Sequence, residues 1–492
     1  GPFINHEMNR CITCYRCVRF YEYAGGKDLT AQASHHHTYF GRHEDGVLES
    51  EFSGNLVEVC PTGVFTDKPF SAQYVRKWDL QTAPSLCAGC SVGCNITPGE
   101  RYGSLRRVVN RYNSEINGYF ICDRGRFGFD YVNSDERIKK PFVRIDSKIE
   151  SLSDGELQNA IEEYNRSDVV GIGSPRATNE SNYALRSFVG EENFYSGVAD
   201  NENEATHLIL ELSKDRAFHT PSIKEIEQAD AVIVLGEDLT NVAARIALAL
   251  RQSVRNKAKE LAKGLNIPVW QDAAVKELAQ HDRSPLILLT GYSTRLDDIA
   301  SDSLIDSPEI LAQIGLAIAG DIAGSTSSAP IDKEKINRIT QKLSKAENPL
   351  VVAGTSSNDI GLIQAAANIA RALYEKKGRP INLCLTVPEA NSMGLAMMVR
   401  KENTLGSALK KLENGEAKKV VILENDLYSR AAHVVVDSAL EKCEGSLVID
   451  QITTATTDKA SVVLPCTAFS EHEGTYVNYE GRAQLSFQVH KN

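Results

Sequence analysis

From residue 141 onward, short unbroken apolar runs alternate with helical patterns. Residues 168–175 (DVVGIGSP), 230–238 (DAVIVLGED), 285–293 (PLILLTGYS), 349–357 (PLVVAGTSS), 419–427 (KVVILENDL) and 446–454 (SLVIDQITT) each pass from Val, Ile and Leu into turn residues. A strand that alternates polar and apolar positions has one wet face. Runs without that alternation are covered on both faces, as in a parallel sheet flanked by helices. The pattern predicts an α/β fold with mostly parallel sheets. Residues 312–334 (AQIGLAIAGDIAGSTSSAPIDKE) read as a helix entering a Ser/Gly/Pro linker, where this region would divide into two lobes.

The first 140 residues have another texture. Residues 1–76 are rich in Cys and aromatic residues and hold few long periodic segments, residues 77–140 carry a second group of cysteines, and the change comes after 135–144 (DERIKKPFVR). Three regions follow: 1–76, 77–140 and 141–492. At 492 residues and 42% hydrophobic, the chain is long enough for two or three cores. A net charge of −11 argues against nucleic-acid or anionic-membrane binding. No apolar run reaches the roughly 18 residues of a spanning helix, so direct membrane insertion is not expected. No signal peptide precedes the first residues, and the chain opens on Gly1 rather than Met, so it reads as a piece of a longer protein.

Of the eleven cysteines, eight fall in the first 122 residues and none lies between Cys122 and Cys384. A disulfide framework belongs to small, loop-rich secreted domains, so metal binding in a reducing compartment fits better. Cys384, Cys443 and Cys466 sit in apolar settings and are expected to be buried small hydrophobes.

Residues 9–26 (NRCITCYRCVRFYEYAGG) place Cys11, Cys14 and Cys17 at a spacing of three, and the fourth ligand is found at Cys60-Pro61. Zinc sites use separated Cys pairs or Cys with His, whereas three cysteines in one run followed by Cys-Pro suit a [4Fe–4S] cubane. The second quartet is Cys87, Cys90, Cys94 and Cys122. Gly89 and Gly93 let its backbone approach inorganic sulfide closely. Arg101, Arg106, Arg107, Arg124 and Arg126 would offset the cluster's charge, or form a solvated face, except Arg124, which is two residues from Cys122. His35, His36, His37 and His43 have no complementary ligand set and read as a polar loop, and His6 reads as structural.

These stretches, with 53–70 (SGNLVEVCPTGVFTDKPF) and 456–484 (TTDKASVVLPCTAFSEHEGTYVNYEGRAQ), resemble the large iron–sulfur subunits of bacterial NADH:quinone oxidoreductase, respiratory complex I. The resemblance covers almost the whole chain. It implies two [4Fe–4S] clusters: one on Cys11, Cys14, Cys17 and Cys60 on the electron path, and one on Cys87, Cys90, Cys94 and Cys122 off it. It implies partners in a peripheral arm, among them the flavin subunit that binds NADH and the quinone-side iron–sulfur subunits. The arm would lie on the cytoplasmic side of the inner membrane, and further clusters would belong to a missing N-terminal part.

The second quartet followed by 122–125 (CDRG), residues 173–185 (GSPRATNESNYAL) and the Gly474 to Arg482 stretch match molybdopterin oxidoreductases, which region 141–492 resembles. A basic residue at the position of Arg124 bridges cluster and pterin in active members of that family. The alternative function is therefore a molybdopterin-dependent oxidoreductase such as a formate dehydrogenase, and a cluster-bearing assembly scaffold is a third. Neither molybdenum nor a pterin is expected here. No cysteine ligand follows Cys122 before Cys384, and Ser213 and Ser222 sit in no ligand motif. The turn after AVIVLG carries Glu237 and Asp238, two carboxylates where a phosphate would bind. Residues 267–274 (IPVWQDAA) offer only Asp272 around a nucleotide base, a residue that equally suits a helix cap.

Overall fold

The computed structural model describes residues 1–145, 148–164, 168–325 and 331–491. The chain folds into two compact units, each assembled from separated segments.

One unit comprises Gly1–Asp79, Arg106–Phe127 and Glu211–Thr386. In its N-terminal part, strand Ile4–His6 pairs antiparallel with Phe65–Asp67, and Thr30–Ser34 pairs with His37–Gly41 in a hairpin. His35 and His36 form the turn of this hairpin, with His35 at φ 54, and His37 begins its second strand. Helix Arg16–Tyr23 packs Phe20 and Tyr21 against Phe40, Phe52 and Leu56, and Cys17 belongs to the same core. The Tyr21 hydroxyl donates to Asp28 at 2.7 Å and accepts from the Ser50 N–H at 3.1 Å, so its burial leaves no polar atom unserved. His6 stacks on Phe65 at 4.9 Å, a packing role, and burial lowers its pKa.

The α/β part of this unit is a six-stranded, all-parallel sheet. Its order is Phe218–His219, Ile381–Thr386, Pro349–Gly354, Ala231–Leu235, Leu286–Thr290, Asp302–Ile305. Ile233, Val234 and Leu235 are completely buried, as expected for a strand covered on both faces. Strand order reverses between Ala231–Leu235 and Pro349–Gly354, and such reversal points are where α/β folds hold ligands. Helix Pro308–Ile322 ends at the expected place, and part of the predicted linker (326–330) lies outside the described residues.

The other unit comprises Leu80–Leu105, Gly128–Leu210 and Val387–Asn492. Its main sheet has seven strands in the order Lys148–Ser151, Phe142–Ile145, Val462–Pro465, Gly445–Asp450, Lys419–Leu423, Val169–Ile172, Phe194–Tyr195. The last five run parallel, and the first two form an antiparallel edge hairpin. Side chains alternate between two cores. Val170, Ile172, Val420, Ile422 and Val448 face one, while Val169, Val421, Leu423 and Leu447 face the other. Two shorter elements matter for function: strand Asn95–Arg101, paired with Ser85–Leu86, and the hairpin Gly474–Val477 with Ala483–Ser486.

Candidate metal centres

Cys11, Cys14, Cys17 and Cys60 line one small cavity with Ile12, Tyr15, Phe40, Val64 and Phe65 among its walls. The loop that brings the first three together is locally strained. Thr13 (φ 57) and Tyr15 (φ 60) are left-handed, a conformation rare for a β-branched residue. The strain turns the Thr13 N–H onto Cys11 Sγ at 3.3 Å. Arg19, one turn into the helix, donates to the Cys14 carbonyl at 3.0 Å and pins the loop. Cys17 is the second residue of that helix, where unpaired N–H groups favour negative charge.

The four thiols differ electrostatically. Burial pushes the Cys17 thiol up to about 11, so a thiolate there needs a nearby cation. Burial also raises Cys60, but N–H donors from Phe65, Thr62 and Val64 and the Thr62 hydroxyl outweigh it and leave the thiol below its ordinary value. Among the described residues no three His, Cys, Asp or Glu side chains are grouped to hold a single ion. A cubane takes one thiolate at each of four irons, so a ring of thiols around a cavity fits it.

Cys87, Cys90 and Cys94 lie in the second unit, on the turn that joins Ser85–Leu86 to Asn95–Arg101. The Cys87 N–H donates to the Cys94 carbonyl at 2.9 Å, closing the turn. The Gly89 N–H reaches Cys87 Sγ at 3.4 Å. Gly93 has φ 72, which favours glycine, and a Cβ there would meet Gln484 Oε1 at 2.2 Å and displace that amide. The terminal hairpin grips this turn. Tyr479 N–H donates to Ser91 O at 2.9 Å, Asn478 Nδ2 to Val92 O at 3.2 Å and Gln484 Nε2 to Gly93 O at 3.1 Å. Sequence reading matched the 474–482 stretch to a family but missed this task, because nothing local in it points at a loop near residue 90.

Cys122 is on the segment grouped with the first unit, where it packs half-buried against the core that holds Cys17 and Phe20. Helix Asp123–Phe127 follows it directly. Asp123 accepts from the Ser53 hydroxyl and from the Gly54 N–H at 2.7 Å, and its burial raises its carboxyl to about 6. Arg126 is buried and donates to Asn55 Oδ1 at 3.0 Å and Glu58 Oε2 at 2.8 Å. Arg124 donates to the Asn241 carbonyl, Arg106 to Gln73, and Arg107 and Arg101 lie over the Phe70 and Tyr102 rings. Each of these arginines therefore has a protein partner.

The reversal point of the six-stranded sheet is filled by the chain itself. Glu237 is buried, its carboxylate takes the Ser356 N–H at 2.9 Å, and burial raises its pKa to about 7. A Cβ on Gly354 would lie 2.7 Å from that carboxylate, so glycine makes room for it. Asp238 is occupied as well, capping Thr240 N–H and receiving the Asn241 amide at 2.6 Å. At the corresponding point of the other sheet, Asn425 donates to Gly173 O and Gly197 O, and Arg176 to Glu424 O. Ser222 serves as the cap of helix Ile223–Ile226. Asp272 is the first residue of helix Asp272–Ala279 rather than its cap, and it pairs with Lys276 at 3.3 Å.

Of the three downstream cysteines, Cys384 is fully buried in its strand, as expected. Cys466 departs from the expectation. Its thiol donates to the buried Glu424 carboxylate at 3.2 Å, so it belongs to a polar group rather than an apolar one.

Comparison with known proteins gives a consistent picture. Residues 1–66 match a family model described as NADH-quinone oxidoreductase subunit 3, ferredoxin-like domain. Residues 80–134 match the molybdopterin oxidoreductase Fe4S4 domain, and residues 327–491 match molybdopterin oxidoreductase. The chain is 52% identical to the NADH-quinone oxidoreductase G subunit of Pseudomonas fluorescens over 99% of its own length and 54% of that protein. The G subunits of Shewanella oneidensis and Escherichia coli K12 are 50% and 49% identical over 100% of this chain and 55% and 54% of theirs. The chain thus spans about half the length of the curated relatives it matches. The acetylene hydratase of Pelobacter acetylenicus shares the fold, with a TM-score of 0.56 at 12% identity over 83% of this chain and 66% of that one. No helix among the described residues is long and apolar enough to cross a membrane.

Proposed function

We propose that this chain, homologous over nearly its whole length to those relatives, is the part of an NADH-quinone oxidoreductase's large iron–sulfur subunit that relays electrons through two [4Fe–4S] clusters. The observation that carries the reading is the ring of Cys11, Cys14, Cys17 and Cys60 around one cavity, inside a region matched to a ferredoxin-like domain. The cluster would supply one-electron oxidation and reduction at that place. The chain's own residues exclude water with Phe40, Val64 and Phe65 and present N–H donors to the sulfurs of Cys11 and Cys60.

Cys87, Cys90, Cys94 and Cys122 would hold the second cluster, with Arg124 close by in sequence as a charge that tunes it. The division into 1–76, 77–140 and 141–492 belongs to the same proposal, and the matched segments 1–66, 80–134 and 327–491 fall one in each region. Partners are the flavin/NADH subunit and the quinone-side iron–sulfur subunits of a peripheral arm on the cytoplasmic face of the inner membrane. Neither molybdenum nor a pterin is bound, a reading supported by Glu237 holding the N–H a phosphate would use and by Asn425 and Arg176 occupying the second reversal point.

Iron, labile sulfide and molybdenum analysis on the purified assembly, with EPR after reduction by NADH, tests this. The expected result is about eight irons and eight sulfides attributable to this chain and no molybdenum. Zinc without labile sulfide would overturn the cluster reading. Stoichiometric molybdenum or a pterin would favour a molybdopterin enzyme.

A further inference from the structure

We propose that Gln484, with Asn478 beside it, is a positioning residue for the second cluster and sets that cluster's reduction potential and lifetime. The proposal rests on the reading that Cys87, Cys90 and Cys94 ligate a cluster. Between Cys90 and Cys94 the backbone turns through Ser91, Val92 and Gly93, and all three carbonyls of this turn are taken by one downstream segment. Tyr479 and Asn478 are 1% exposed and Ser91 is fully buried, so the bonds from Tyr479 and Asn478 form away from water, where a missing partner is costly. Asn478 Oδ1 also accepts from the Glu480 and Arg482 N–H groups, which fixes its amide with Nδ2 toward the turn.

Two consequences follow for a cluster held there. Each carbonyl whose lone pair is engaged presents less negative potential to the nearby sulfurs, and hydrogen bonding and local dipoles set cluster potentials. The grip also fixes the left-handed Gly93, on which the separation of Cys90 from Cys94 depends.

The test uses Gln484→Leu, which keeps the bulk and removes the donor, in the native assembly. Gln484 is only half-buried, so this variant should fold, while Asn478→Ala serves as the harsher second case. EPR-monitored redox titration should show a more negative midpoint for the second cluster and an unchanged first cluster. On exposure to air the second signal should decay about tenfold faster, the effect of losing one such hydrogen bond. Both clusters present in the parent and unaltered in potential and lifetime in both variants would overturn the proposal. A parent that lacks the second cluster altogether would instead overturn the ligand assignment beneath it, and the proposal with it.

Discussion

The Glu237 carboxylate accepts the Ser356 N–H at 2.9 Å, at the reversal point of a six-stranded parallel sheet. One carboxylate oxygen is thereby satisfied. The other, Oε2, has no hydrogen-bond partner among the described residues. The chain has placed its own anion where folds of this class bind a phosphate.

That anion is uncomfortable, and the discomfort depends on pH. Burial raises Glu237 from 4.5 to about 7 in the folded state. Below pH 4.5 both states are protonated and there is no effect. Between 4.5 and 7 the unfolded chain ionises while the folded one does not, so stability falls as pH rises and then levels off. Glu237→Gln removes this loss of about 3 kcal/mol at most. Its melting transition should exceed the parent's by several degrees at pH 8 and by far less at pH 5. Equal differences at both pH values in calorimetry would count against the assignment.

The two quartets should differ in consequence. Cys14→Ser or Cys60→Ser should abolish NADH-to-quinone electron flow in the assembled enzyme, while Cys90→Ser should leave measurable flow. Steady-state turnover, with assembly checked on native gels, decides this. Complete loss in all three fully assembled variants would place both clusters on the path.

Arg126 ties helix Leu56–Val59 to the segment after Cys122 through Asn55 and Glu58. Arg126→Met leaves those acceptors facing an apolar side chain; Glu58 keeps access to water, so the change should cost about 1–2 kcal/mol. That helix leads directly into Cys60, and the helix carrying Arg126 follows Cys122 directly, so iron content should fall together with stability. Denaturant titration and iron analysis follow the two effects.

The strained loop gives opposite results for two substitutions. Thr13→Gly adopts φ 57 without strain and should retain iron, with stability within about 1 kcal/mol of the parent. Thr13→Pro fixes φ near −65° and deletes the N–H that reaches Cys11 Sγ, so it should lose the first cluster. Iron content of the purified variants separates them.

Strands were legible because burial on both faces leaves a contiguous trace: DAVIVLGED contains Ala231–Leu235, and PLVVAGTSS contains Pro349–Gly354. The grouping of Cys11, Cys14 and Cys17 at one cavity was legible from their spacing of three, and that of Cys60 from its Cys-Pro pair. Pairing was not, since periodicity says which faces are covered but not by what. Nothing in KVVILENDL announces that it lies between residues 169–172 and 445–450. The roles of Asn478 and Gln484 were hidden for the same reason, as was the Cys466–Glu424 contact, where a thiol in an apolar run faces a carboxylate.

The grip of Gln484 on Gly93 spans 391 residues of chain. At about 5–20 residues per second, a ribosome takes roughly 20–80 s to go from one to the other. The first four cysteines have all been made by residue 60, so their ring can close early in synthesis. The turn carrying Cys90 and Cys94 emerges soon after but waits for its clamp until Asn478 and Gln484 are translated. A cluster bound at that turn would therefore be held in place only after residues 478–484 have been made. A nascent chain stalled anywhere before residue 478 would carry those cysteines on an open loop, exposed to oxidation and to the wrong ion.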